Sequence, residues 1–192
     1  MPRQILFVQG GGEGTHDAWD DKLVHSLQTE LGPDYAVRYP AMPNEGDPHY
    51  PAWKAALFGQ FDTLDDNAIL VGHSVGGAFL IHAVAEHRPK RKWGAIILLA
   101  PPFFGRGGWP AEATDPATNL ADELRADVPV FLYHGAADSE VPPGHMKLYA
   151  EAIPHATTHA LSDRDHQLNN DLSPVALDIR SKLAATPQAT TD

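Results

Sequence analysis

The sequence predicts an α/β fold: a largely parallel β-sheet with helices on both faces. Three observations carry this reading. Short apolar runs alternate along the chain with longer segments of helical spacing, and alternating strands and helices imply right-handed βαβ units. The run WGAIILLAPP at 93–102 is almost unbroken in apolar residues, as expected of a strand covered on both faces. No internal repeat, low-complexity tract or linker interrupts the pattern over 192 residues, a length that one core can span.

The elements follow in order. QILFVQG (4–10) reads as a buried strand stopped by glycines. Residues 17–31 place Trp19, Leu23, Val24, Leu27 and Leu31 at helical spacing, with Asp17 as a cap and Gly32-Pro33 as the stop. YAVRYP (35–40) is a second strand, followed by a loop and a helix over about 52–60. AILVG (68–72) is the third strand and 75–89 a helix ended by Pro89. The fourth strand is 93–102, the fifth VPVFLYHG (128–135), and the sixth ATTHALSD (156–163). Helices are expected at 144–153 and 172–185, the latter with Ser173 as cap and Pro174 in its first turn. The irregular stretch 101–127 has room for a short helix near 116–126; a loop that long in a compact domain is usually functional or mobile. The expected organisation is one domain over 1–186, with a small lid-like excursion at 101–127 and a frayed tail at 187–192.

Composition narrows the function. A net charge of −11 argues against nucleic acid as a partner, because phosphate binding needs clustered Lys and Arg. With no cysteine, the chain has no disulfide, thiol nucleophile or thiolate metal site. The apolar run at 5–8 is too short for a signal peptide, and no stretch approaches the roughly 20 residues of a membrane span. A cytoplasmic protein is expected.

The stretch LVGHSVGG (70–77) sets Ser74 between Gly72 and Gly76, after a strand and before a helix. G-x-S-x-G in that context is a nucleophile elbow, a tight turn that holds serine in a strained backbone conformation. A serine hydroxyl needs a base to take its proton, and the base needs an orienting acid. In a parallel sheet such partners converge at the C-terminal ends of the strands. HGAADSEVP after the fifth strand presents Asp138, and DRDHQLNN after the sixth presents His166. Glu140, Asp163 and Asp165 are rivals for the acid. The bland alternatives are a structural turn at Ser74 and a surface histidine at His166.

These segments carry a family resemblance. GHSVGG, HGAADSEVP and DRDHQL are similar to the nucleophile, acid and histidine motifs of small α/β-hydrolases of the serine esterase type, and the resemblance covers about residues 3 to 185. It implies a single-domain α/β-hydrolase fold with about six strands in the order 2-1-3-4-5-6. It also implies Ser74 as nucleophile, Asp138 as acid and His166 as general base and acid. By similarity to oxyanion loops, the Gly11 and Val75 N–H groups are expected to hold the oxyanion, with Gly12 the neighbouring option; Gln9 stands where the common pattern has His.

The remaining candidates divide the same way. Phe103, Phe104 and Trp109 either cover an acyl pocket or pack their loop down. The glycines at 10–14 lack the Lys-Ser/Thr of a phosphate loop. His155 and His159, four apart on a strand, stand too far apart to share an ion, so no metal or cofactor is expected. His73 is expected to point away from the nucleophile and His134 to bond locally. The function expected is hydrolysis of a small ester or related acyl substrate in a small or open acyl pocket. Thioester or amide cleavage, acyl transfer, and a non-catalytic interaction protein on the same fold remain alternatives.

Overall fold

The computed structural model describes residues 1–87, 92–110 and 119–183. Six parallel strands form one sheet: β1 (Arg3–Val8), β2 (Tyr35–Arg38), β3 (Ile69–His73), β4 (Ala95–Leu99), β5 (Val130–Gly135) and β6 (Thr157–Leu161). Their order is β2-β1-β3-β4-β5-β6, as the sequence implied. The α-helices are α1 (Asp21–Leu31), α2 (Tyr50–Phe61), α3 (Ser74–Glu86), α4 (Leu120–Glu123), α5 (Gly144–Ala152) and α6 (Ser173–Lys182).

The two-residue period of the strands builds two cores. Ile5 and Phe7 of β1 join Leu23, Leu27, Val71, Ile97, Val175 and Ile179 on the face covered by α1 and α6. Leu6 and Val8 join Trp53, Leu57, Phe79, Leu80, Leu98 and Leu132 on the face covered by α2 and α3. Successive side chains of a strand point to opposite faces, so an uninterrupted apolar run is what a sheet covered on both sides requires. Burial of roughly 25 cal/mol per Å² of apolar surface then drives both layers onto the sheet.

Several boundaries differ from the sequence reading. β1 ends at Val8, because Gln9 and Gly10 turn their polar groups to loop contacts. β4 spans only Ala95–Leu99; Pro101 and Pro102 have no N–H for the ladder. The first helix opens with a π-helical turn, Thr15–Asp20, before α1. Its cap is Gly14 at φ 76°, not Asp17, whose carboxylate instead meets His16 Nδ1 at 2.5 Å. Trp19 is 54 % exposed and does not join the apolar face. At α6 Ser173 is the first helical residue and Leu172 the N-cap, and Asp171 Oδ1 accepts the Ser173 N–H at 2.9 Å. The short helix expected near 116–126 is α4. The ends of the predicted helices at Pro89 and 185, and the tail 187–192, lie outside the described residues, as does the stretch 111–118 of the lid-like excursion.

Candidate active site

Ser74 stands where β3 passes into α3, at φ +50°. Only close approach explains the glycines around it. A β-carbon on Gly76 would lie 1.8 Å from the Gln9 carbonyl oxygen, and one on Gly72 would lie 2.6 Å from Gly77 Cα. The register pairs Val8 with Gly72, so the loop leaving β1 runs beside the elbow.

The ends of β5 and β6 bring two more groups to this point. His166 Nε2 lies 3.0 Å from Ser74 Oγ, and His166 Nδ1 lies 2.8 Å from Asp138 Oδ2. Ser74, His166 and Asp138 are thus one hydrogen-bonded chain. His166 Nδ1 meets Asp138 and none of the rival acids. Glu140 gives Asp138 only its backbone N–H, the Asp163 carbonyl accepts from Asn169 Nδ2, and the Asp165 carboxylate accepts the Asn169 N–H.

Asp138 is surrounded by donors. Its Oδ1 accepts the N–H groups of Glu140 and Val141, each at 2.9 Å. Buried His134 places Nε2 3.1 Å from Oδ2 and 2.9 Å from the Val141 carbonyl. Burial opposes ionisation of Asp138, yet the hydrogen bonds from His134, His166 and Val141 outweigh it and hold the carboxyl well below the usual range. The acid is therefore a carboxylate that accepts from the Nδ1 side of His166 and leaves Nε2 free to take a proton from serine.

The loop after β1 is held by two carboxylates. Asp20 Oδ2 accepts the Gly10 N–H at 2.7 Å. Glu45 accepts the Gly14 N–H at 2.8 Å and the His16 N–H at 2.9 Å, and its carbonyl takes the Gly12 N–H at 2.6 Å. Gln9 donates to the same Glu45 carboxylate and accepts the Met42 N–H at 3.1 Å. These contacts occupy the N–H groups of Gly10, Gly12 and Gly14. Among the described residues none accepts from Gly11. A β-carbon on Gly11 would lie 3.5 Å from Val75 Cβ, and Val75, second in α3, has no acceptor within its helix. Gly11 and Val75 thus present adjacent unused donors beside Ser74.

The aromatic candidates are pinned to the body of the fold. Phe104 is buried against Phe79, with ring centroids 6.2 Å apart, and against Trp109 at 6.0 Å. Phe103 meets Tyr149 edge-on at 5.1 Å, and its N–H donates to His145 Nδ1 at 2.8 Å. Two readings of the sequence agree with the structure: the His73 ring points to Asp20 and the His166 carbonyl rather than to Ser74, and His134 bonds locally, to the Val141 carbonyl and to Asp138 four residues on. The contacts of His73, Glu45 and Gln167 leave no signal at any sequence spacing, because their partners come from separate segments, whereas His134 and Asp138 stand four apart. Among the described residues, no cluster of three His, Asp or Glu side chains is arranged to hold a metal ion, and no helix is long and apolar enough to cross a membrane.

A family model described as the alpha/beta hydrolase family matches residues 5–188. No curated protein is significantly similar to the chain. Solved structures share its fold at low identity. The ydeN gene product of B. subtilis has a TM-score of 0.76 at 20% identity, over 94% of this chain and 98% of that one. Est1E from Butyrivibrio proteoclasticus, solved with ferulic acid bound, has a TM-score of 0.69 at 14% identity, over 94% and 87%. The esterase EaEST from Exiguobacterium antarcticum has a TM-score of 0.67 at 12% identity, over 95% and 92%.

Proposed function

The chain belongs to the alpha/beta hydrolase family, and from that premise we propose that it is a serine hydrolase cleaving carboxylic esters of small substrates through Ser74, His166 and Asp138. The observation that carries the proposal is the unbroken chain from Ser74 Oγ through both nitrogens of His166 to Asp138.

In this mechanism His166 Nε2 takes the Ser74 proton as Oγ attacks the ester carbonyl. Asp138 keeps the Nδ1–H tautomer in place and stabilises the imidazolium that forms. The N–H groups of Gly11 and Val75 donate to the oxyanion, an interaction that strengthens only as negative charge develops. His166 then protonates the departing alcohol. Water attacks the acyl-serine with its proton passing to His166, and collapse of the second tetrahedral species returns that proton to Ser74. Phe103 and Trp109 are proposed to flank the acyl group. Thioesters and activated amides would enter by the same first step, so a panel of the three substrate types ranks them.

A fluorophosphonate probe tests the reading directly. The wild type is expected to be labelled, and Ser74→Ala, which leaves the turn and its glycines intact, is expected not to be. Equal labelling of both proteins, or none of the folded wild type, rejects Ser74 as nucleophile.

A further inference from the structure

Beneath the proposed triad lies a second histidine–carboxylate pair that the reaction does not use. The side chains of His73 and Asp20 are 1% and 0% exposed, with Nδ1 2.9 Å from Oδ2. Both ring nitrogens of His73 face atoms that accept. Nδ1 faces the Asp20 carboxylate, and Nε2 faces the His166 carbonyl oxygen at 3.0 Å. A neutral imidazole has one N–H and would leave one of these contacts lone pair to lone pair. A proton on Asp20 fits poorly. Its Oδ2 already accepts the Gly10 N–H at 2.7 Å, and its Oδ1 accepts from Gln167 Nε2 at 3.2 Å.

We infer that His73 is held as an imidazolium paired with the Asp20 carboxylate, and that this pair is the positioning device that sets the glycine loop, the elbow and the histidine loop against one another. The inference rests on the proposed roles of Ser74 and His166. Its geometry reaches each of them through the backbone. Asp20 holds Gly10, one residue before the proposed oxyanion donor Gly11. His73 immediately precedes Ser74. The carbonyl it holds belongs to His166 itself, and Gln167, bonded to Asp20, is the next residue. Three loops from the ends of β1, β3 and β6 therefore share one buried charge pair.

The electrostatics agree with the geometry. Burial disfavours both charged forms, yet attraction to Asp20, its hydrogen bond and the His166 carbonyl raise the His73 pKa, with Asp138 adding to the effect. Attraction to His73 and its hydrogen bond, with the bonds from Gly10 and Gln167, lower that of Asp20. The groups facing the His73 ring are Asp20 and the His166 ring, whose centroid is 4.9 Å away. The Asp20 charge neutralises that of His73, so a further positive charge can form on His166 during catalysis without facing an uncompensated neighbour.

Asp20→Asn keeps the shape and removes one link. With its oxygen toward His73 and Gly10, His73 becomes neutral with its proton on Nδ1, and the bond to the His166 carbonyl is lost. With its amide nitrogen there, the Gly10 bond is lost. Either result misplaces a group at the proposed site.

Two measurements test this. In ¹⁵N-histidine spectra of the wild type, the His73 ring, assigned by its disappearance in His73→Asn, is expected to show both nitrogens protonated at pH 7. A neutral-tautomer pattern at that pH overturns the charged pair. In ester hydrolysis, Asp20→Asn is expected to lower kcat about 10–100-fold with KM within about twofold, the signature of a misaligned site. A folded Asp20→Asn with wild-type kcat overturns the positioning role. Failure of the functional reading is distinguishable, because it appears as absent Ser74 labelling in the wild type and leaves the nitrogen spectrum unaffected.

Discussion

At Ser74 the backbone sits at φ +50°, where a side chain with a β-carbon is strained by about 1 kcal/mol or more. The strain holds the hydroxyl at the tip of the turn, toward His166. Ser74→Ala and Ser74→Gly both remove the hydroxyl, but only glycine removes the β-carbon. Both are expected to be inactive, and the glycine variant to be more stable than the alanine variant by about 1 kcal/mol in urea titrations. Equal stability would mean the turn carries no such strain. Ser74 is legible in the sequence because the elbow is local: strand, glycine, serine, glycine and helix fall within a few residues. Asp138 and His166 are legible because the fold brings the ends of β5 and β6 to the same rim. Asp20, Glu45 and His73 are not. Asp20 meets His73 across 53 positions and Gln9 meets Glu45 across 36, and no spacing rule links such pairs.

Among the elements, the glycine loop after β1 depends most on a partner. Its glycines have little conformational preference of their own, so its shape is set by the acceptors that collect its N–H groups. Glu45 supplies three of them, to Gly12, Gly14 and His16. Glu45→Ala removes the carboxylate bonds and leaves only the backbone one. The expected result is a 10–100-fold fall in kcat as the proposed oxyanion donors lose their fixed direction, together with faster amide exchange over residues 10–16. A variant with wild-type exchange and turnover would show that the loop holds itself. The same region explains where sequence periodicity misleads. Element type and order are readable because both sheet faces are covered and the apolar runs follow. The helical spacing of Trp19 with Leu23 assumes a regular α-helix, whereas the turn Thr15–Asp20 is a π-helix. Its extra residue per turn rotates Trp19 outward and Asp20 inward, and such turns recur at functional sites. Buried Asp20 and exposed Trp19 are thus one local departure with a use at the site.

For the molecule as a whole, sheet order follows from the apolar runs, whereas the loops around Ser74 pack through partners far apart in sequence. Its response to acid, in contrast, follows from how it buries histidine. His82 is 5% exposed in α3, edge-on to the Tyr50 ring at 6.3 Å. Burial pushes its pKa down to about 4, and the nearby Glu86 only partly opposes this. In the unfolded chain a histidine takes its proton near 6.5. Between about 6.5 and about 4 the unfolded state therefore binds more protons, and stability falls as pH falls. The full window is worth on the order of 3 kcal/mol. His145 and His159, also lowered by burial, act in the same direction. His73, raised, acts oppositely: its contribution is complete below its unfolded pKa and is lost only as pH rises through its folded value. The lowered carboxylates Asp20 and Asp138 lose their contribution in more acid solution, below the histidine window. The urea midpoint is therefore expected to drop between pH 7 and pH 4.5, and His82→Phe, which keeps an aromatic ring beside Tyr50, is expected to remove the largest part of that slope. An unchanged slope in the variant would assign the acid sensitivity to His145 and His159 instead.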